Sequence, residues 1–213
     1  MYYARERPRM VYVLILINLA VFVYTLTLSN RDVVRLAYIF GVVPALIMNG
    51  TSLHSLVTSM FLHADFFHIF FNMYALFLLG KDCEIAYGSR KFTLLYFLSG
   101  ILAGILHSAY IYILFPEEAY RPAIGASGAI FGVMASYAVL FPFRRLFVFF
   151  GLIPVAAPAI VVIFGLALIQ LLYAIAMPLG SIAYVAHIGG FITGLILTLI
   201  YRAGLRKYYY YSF

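Results

Sequence analysis

The stretch Gly125-Ala126-Ser127-Gly128-Ala129-Ile130-Phe131-Gly132-Val133-Met134-Ala135-Ser136-Tyr137-Ala138-Val139-Leu140 reads as a helix apolar enough to enter a bilayer, with a hydroxyl near its start. Sixty residues on, Ala186-His187-Ile188-Gly189-Gly190 puts an imidazole into a second such stretch. Polar and ionisable groups inside membrane segments are rare and tend to serve function. A serine and a histidine that could meet in lipid suggest a nucleophile and its base.

The surrounding chain is of the same kind. Of its 213 residues, 66% are hydrophobic and only 10% charged, where a soluble domain would carry about a quarter charged residues. The fold class is therefore an all-α polytopic membrane protein, a single membrane domain over residues 1–213. The first apolar run follows Arg5, Arg7 and Arg9, is long for a signal-peptide core and lacks a small-residue cleavage site, so it reads as a retained span. The single cysteine, Cys83, cannot form an internal disulfide, and no zinc pattern exists. No cofactor or metal is expected. A net charge of +7 does not imply nucleic acid, because the basic residues are dispersed between spans.

Six stretches have spanning length: about 10–29, 57–79, 92–114, 123–141, 147–177 and 184–201. The fifth is too long for one straight crossing. Gly151, Pro154 and Pro158 are expected to bend or break its start. The N-terminus, the 80–91 loop, Arg144-Arg145 and the tail (Arg202, Arg206, Lys207) hold eleven of the fourteen Lys and Arg residues. The alternate loops hold only Arg31, Arg35 and Arg121. This bias puts both termini in the cytosol. The 30–55 connection is itself apolar, yet too irregular to cross, and is expected to lie half-immersed against the bundle.

Depth can be counted from the basic ends. At ~1.5 Å per residue, Ser127 lies roughly 25 Å above Arg144, His187 roughly 22 Å above Arg202, and His68 roughly 20 Å above Lys81. Three polar groups from three spans thus share one layer, displaced toward the outside. Asn72 is four residues after His68 and shares its helix face. His63, five residues before His68, falls about 140° round the wheel, which predicts that it stays apart from that pair. Its expected role is structural, near the outer loop. His187, Gly190 and Gly194 form one stripe, and Gly128 and Gly132 another; small residues let helices approach closely in lipid. The spacing therefore predicts that the fourth and sixth spans meet along the faces carrying Ser127 and His187. Lone polar residues elsewhere weigh less: Asp65 reads as interfacial, His54 and His107 as structural or interfacial, and Gln170 as hydrogen-bonded glue. The Tyr208–Tyr211 run has no functional reading.

Several chemistries are excluded. There is no HExxH zinc motif and no pair of intramembrane aspartates. The serine motif is not the soluble hydrolase elbow, since no strand precedes it. A serine–histidine pair without an obvious acid remains. Neutral imidazole can take the serine proton at pH 7. His68, Asn72 and the backbone N–H of Ser127 would then hold the oxyanion, and the bare backbone at the start of the fourth span suits an anion.

Taken together, these residues resemble a rhomboid intramembrane serine protease in its six-span basic form. The resemblance covers about residues 10 to 202. It rests on His63-x4-His68-x3-Asn72, Gly80-x3-Glu84-x3-Gly88, Gly125-x-Ser127-Gly128 with Gly132, and Ala186-His187-x2-Gly190-x3-Gly194. It implies a rhomboid-like bundle with an embedded first loop at 30–55 and a fifth span that moves as a lateral gate. It further implies Ser127 as nucleophile and His187 as base, with His68 and Asn72 as oxyanion-hole side chains and His63 structural. Implied substrates are single-span membrane proteins within the bilayer, cut near the outer face at small residues and helix-breaking sequences. With the plasma membrane as the expected host, the charge bias puts the opening of the site on the outside. Two departures stand out. Many relatives carry Trp-Arg in the first loop, where this chain has His54-Ser55 and no tryptophan anywhere. Phe131 occupies the place of a tyrosine that stacks on the histidine in some relatives.

Two other classes compete with this reading. A non-catalytic rhomboid-like protein that binds membrane clients would usually lack the serine or the histidine, and both are present. A small transporter would want an inverted repeat and paired midplane charges, and neither is found.

Overall fold

A computed structural model describes residues 7–150, 153–180 and 182–202. Arg5, Gly151, Ser181, Arg206, Lys207 and the Tyr208–Tyr211 run lie outside the described residues. The chain is mostly helical. Among the described residues, four helices are long and apolar enough to cross a membrane: α1 (Arg9–Leu26), α7 (Ser89–Leu114), α9 (Ala159–Ala176) and α10 (Tyr184–Arg202). A bent pair supplies a possible fifth crossing, and α8 (Ser127–Leu140) is apolar but shorter.

The second predicted span, 57–79, is not one helix. The short α4 (Ser55–Thr58) and a 3-10 turn to Phe61 are followed by extended backbone at Leu62 and then by α5 (Phe66–Ala75). The two parts are bent by 100°. Asp65 causes the restart: its carboxylate accepts the His68 N–H at 2.8 Å and caps α5. The helix then runs beyond the predicted end, through a π turn (Leu76–Gly80) into α6 (Lys81–Tyr87). Gly88, at φ 77°, ends it in a conformation that favours glycine.

The fifth predicted span, 147–177, is helical only as α9. Its first part is an antiparallel hairpin, β1 (Arg145–Phe150) with β2 (Ile153–Pro158), in register from Arg145↔Pro158 to Phe150↔Ile153. Pro154 and Pro158 have no N–H for a helical ladder, and Pro158 then serves as the N-cap position of α9.

The fourth predicted span, 123–141, also shortens. Residues before Ser127 are held extended: Val42 and Ala123 exchange both backbone hydrogen bonds at 2.8 Å, and the Gly125 N–H donates to Ser59 O at 2.9 Å. Fourteen helical residues cover ~21 Å, less than the ~30 Å of a hydrocarbon layer. One end of α8 must therefore be sunk below a membrane surface. Ten of its fourteen residues are buried, which makes it the central helix.

The apolar 30–55 connection folds as an amphipathic helix α2 (Asn30–Phe40) and a short α3 (Pro44–Met48). α3 docks on α7, and the Ala45 N–H donates to Ala119 O at 2.8 Å. His54 bonds the Ile39 carbonyl at 3.0 Å and the Thr58 hydroxyl donates to Phe40 O at 2.8 Å, so this loop is tied down without tryptophan or arginine. At the opposite end, the buried Glu84 carboxylate accepts N–H groups of Arg9, Met10 and Val11 at 3.0, 2.8 and 2.8 Å. It thereby caps α1, where a free helix N-terminus would leave donors unmet in lipid. Arg144 pairs with Asp82 nearby.

Candidate active site

α8 begins with Ser127. The first backbone bond into the helix is from Ile130 N–H to Ala126 O, so the N–H groups of Ser127, Gly128 and Ala129 precede the ladder. Ser127 Oγ lies 2.7 Å from His187 Nε2, on α10. That contact depends on how closely the two helices approach. A β-carbon on Gly190 would overlap Gly128 O, and one on Gly194 would overlap Gly132 O. The helices touch backbone to backbone, and only hydrogen at these positions permits it. Gly132 in turn faces Ser99 on α7.

His187 is buried and held on two further sides. Phe131, one turn along α8 from Ser127, stacks on its ring with centroids 4.4 Å apart and planes 10° apart. Its Nδ1 lies 2.7 Å from Oε1 of Gln170, on α9. Sequence reasoning gave Gln170 a gluing role; it is hydrogen-bonded, and its partner is the imidazole. No spacing rule could have joined them, since the two residues sit on different helices.

His68 stands across the serine. The Ala64 N–H points at its Nδ1 at 3.4 Å, a weak bond that favours the hydrogen on Nε2. A β-carbon on Gly125 would lie 2.6 Å from that Nε2 and 3.8 Å from Ser127 Oγ. Gly125 is thus needed twice, for this space and for its φ of 124°. Asn72 is buried one turn along α5 and donates to His68 O at 2.8 Å. His63 departs from the wheel expectation. It precedes α5, so helical spacing does not apply, and its ring packs edge-on against His68 at 4.9 Å.

A cavity of about 40 Å³ adjoins Ser127, lined among others by Ser59, Gly104, His107, Gly125 and Ala186. His107, read from sequence as a lone histidine, turns out to face this cavity, and its Nδ1 is buried without a hydrogen-bond partner. A second cavity of about 260 Å³ lies between α9 and α10 and reaches His187 and Gln170. Among the described residues, no three His, Cys, Asp or Glu side chains converge as metal ligands.

This arrangement can transfer a proton from a hydroxyl to an imidazole and present hydrogen-bond donors beside that hydroxyl. Comparison with known proteins points the same way. The Rhomboid domain family model matches residues 50–204. The chain is 34% identical over 146 residues to "Rhomboid protein 1, mitochondrial" of Saccharomyces cerevisiae, covering 68% of this chain and 41% of that protein. It is 32% identical over 144 residues to "Rhomboid protease AarA" of Providencia stuartii, covering 59% and 48%. A "Putative rhomboid protease YdcA" of Bacillus subtilis is 37% identical over 90 residues, 42% of each chain. The chain spans less than half the length of these curated relatives. A family model covering most of the chain, together with relatives of this similarity, makes the protein an integral membrane member of the rhomboid family.

Proposed function

We propose that the protein is an intramembrane serine endopeptidase that cuts single-span membrane proteins through Ser127 and His187. The observation that carries this reading is the 2.7 Å contact between Ser127 Oγ and His187 Nε2 inside an apolar bundle.

His187 Nε2 takes the Ser127 proton as Oγ attacks the scissile carbonyl carbon, and the carbonyl oxygen becomes the oxyanion. The backbone N–H of Ser127, the Nε2–H of His68 and the Asn72 amide are the donors for that charge; Asn72 gives one Nδ2 hydrogen to His68 O and has a second for the oxyanion. The imidazolium then passes its proton to the leaving amine. Water, deprotonated by the same nitrogen, releases the acyl group from Ser127 and restores the hydroxyl.

The small cavity beside Ser127, lined by Gly104, Gly125, Ala183 and Ala186, supports a small residue before the cut. α9 is the helix to move aside for a substrate: only three of its eighteen residues are buried. The positive-inside bias supports cytosolic termini and a site opening toward the opposite side of the membrane.

The test is labelling by a fluorophosphonate probe in detergent, with cleavage of a transmembrane substrate measured in parallel. The unaltered chain should label and cleave. Ser127→Ala should do neither, and equal labelling of that variant would end the proposal.

A further inference from the structure

The bond from His187 to Gln170 has a consequence for the base itself. A neutral imidazole carries its hydrogen on one nitrogen, and the hydrogen bond at the other nitrogen decides which. For Nε2 to accept the Ser127 proton, the hydrogen must sit on Nδ1. Gln170 Oε1, 2.7 Å away, is an acceptor placed to hold it there. Among the described residues, the ionisable side chains that act electrostatically on the ring are His68 on α5 and His107 on α7, and neither is a carboxylate. The neutral amide is thus what stands at the acid's place.

Gln170 is carried by α9, the long helix least enclosed by the rest of the bundle. α9 meets α10 through Phe164 on Phe191, with ring centroids 5.2 Å apart, and Tyr173 on Tyr184 at 5.3 Å. These ring contacts lie on either side of Gln170 along the helix. Between the two helices is the 260 Å³ cavity, lined by Phe164, Gln170, His187 and Phe191 among others. Displacing α9 outward would remove the acceptor from Nδ1 before it disturbed the contact between α8 and α10.

We propose that Gln170 is a positioning residue that sets the tautomer and aim of His187, so that the base is aligned only while α9 is seated against α10. The proposal rests on the reading of Ser127 and His187 as the reacting pair. Gln170 neither gives nor takes a proton. The Nδ1–H stays on the ring while Nε2 gains the serine proton, and its bond to Oε1 strengthens as the ring becomes cationic. A substrate that moves α9 aside meets a disordered base, and the reaction waits until α9 closes behind it.

The experiment uses the full chain in detergent, with the probe and substrate named above and a thermal melt as control. Gln170→Met keeps the length of the side chain and removes the acceptor; Gln170→Glu restores one. Gln170→Met is expected to lower kcat and the labelling rate on the order of 100-fold, the scale of general-base assistance, with KM unchanged. Gln170→Glu should recover most of the loss. Phe164→Ala should slow labelling in the unaltered chain and add nothing in Gln170→Met. The ¹⁵N spectrum of histidine-labelled protein should show a hydrogen on His187 Nδ1 in the unaltered chain and mixed tautomers in Gln170→Met, a readout independent of turnover. Labelling of Gln170→Met at the unaltered rate, or the same tautomer in both proteins, would overturn the proposal while Ser127→Ala still tests the reacting pair separately. Activity retained in Ser127→Ala would instead remove the pair, and this proposal with it.

Discussion

The carbonyl oxygen of Gly128 occupies the space that a β-carbon on Gly190 would need. The distance between serine and histidine is therefore set by two glycines and not by the polar residues themselves. Gly190→Ala must push α10 away from α8, because the obstacle is backbone and cannot rotate aside. Overpacking of this kind costs about 1–3 kcal/mol. The expected outcome is a lower melting temperature and loss of fluorophosphonate labelling, although every polar group is retained. Labelling at the unaltered rate would show that the approach of α8 to α10 does not govern the site.

Asn72 tests the oxyanion reading. Removing one such donor typically costs ~10²–10³ in kcat. Asn72→Ala should fall in that range on a transmembrane substrate while remaining labelled by the probe, more slowly. Full activity in Asn72→Ala would assign its amide to the His68 carbonyl alone.

Phe131 has no polar atom to offer, so its effect must come through the ring it covers. Aromatic stacking is worth about 0.5–1.5 kcal/mol, which corresponds to roughly a 2- to 10-fold loss in rate for Phe131→Ala. Phe131→Tyr keeps the stacked face and should retain activity. Substrate turnover at saturating concentration distinguishes the two.

Glu84 predicts a change in stability without one in chemistry. It lies at the end of the bundle where α1 begins, and its carboxylate meets three backbone N–H groups there. Leaving buried donors unmet costs about 1–3 kcal/mol each. Glu84→Ala should therefore lower the melting temperature and release α1, read as faster proteolysis near Arg9. At low temperature, the protein that remains folded should label normally.

Much of this protein was legible in its residues. Hydropathy marked the long helices α1, α7, α9 and α10, because a backbone in lipid must satisfy its own hydrogen bonds and a helix does so within one segment. Glycine spacing marked the faces of α8 and α10, since one helix repeats every 3.6 residues whatever surrounds it. Depth counting put Ser127, His187 and His68 in one layer for the same reason. The tertiary structure decided everything that depends on two segments at once. The extended residues before Ser127, pinned to Val42 and Ser59, shorten α8 so that Ser127 is its first residue. The restart at Asp65 frees His63 from the helical wheel and lets it touch His68. The hairpin ahead of α9 replaces about three turns of the expected helix, whose hydrogen-bond ladder Pro154 and Pro158 would break. The partner of Gln170 was the least readable of all. Which group a single polar side chain meets depends on the rotation and tilt of its helix against another, and no local pattern of residues encodes that relation.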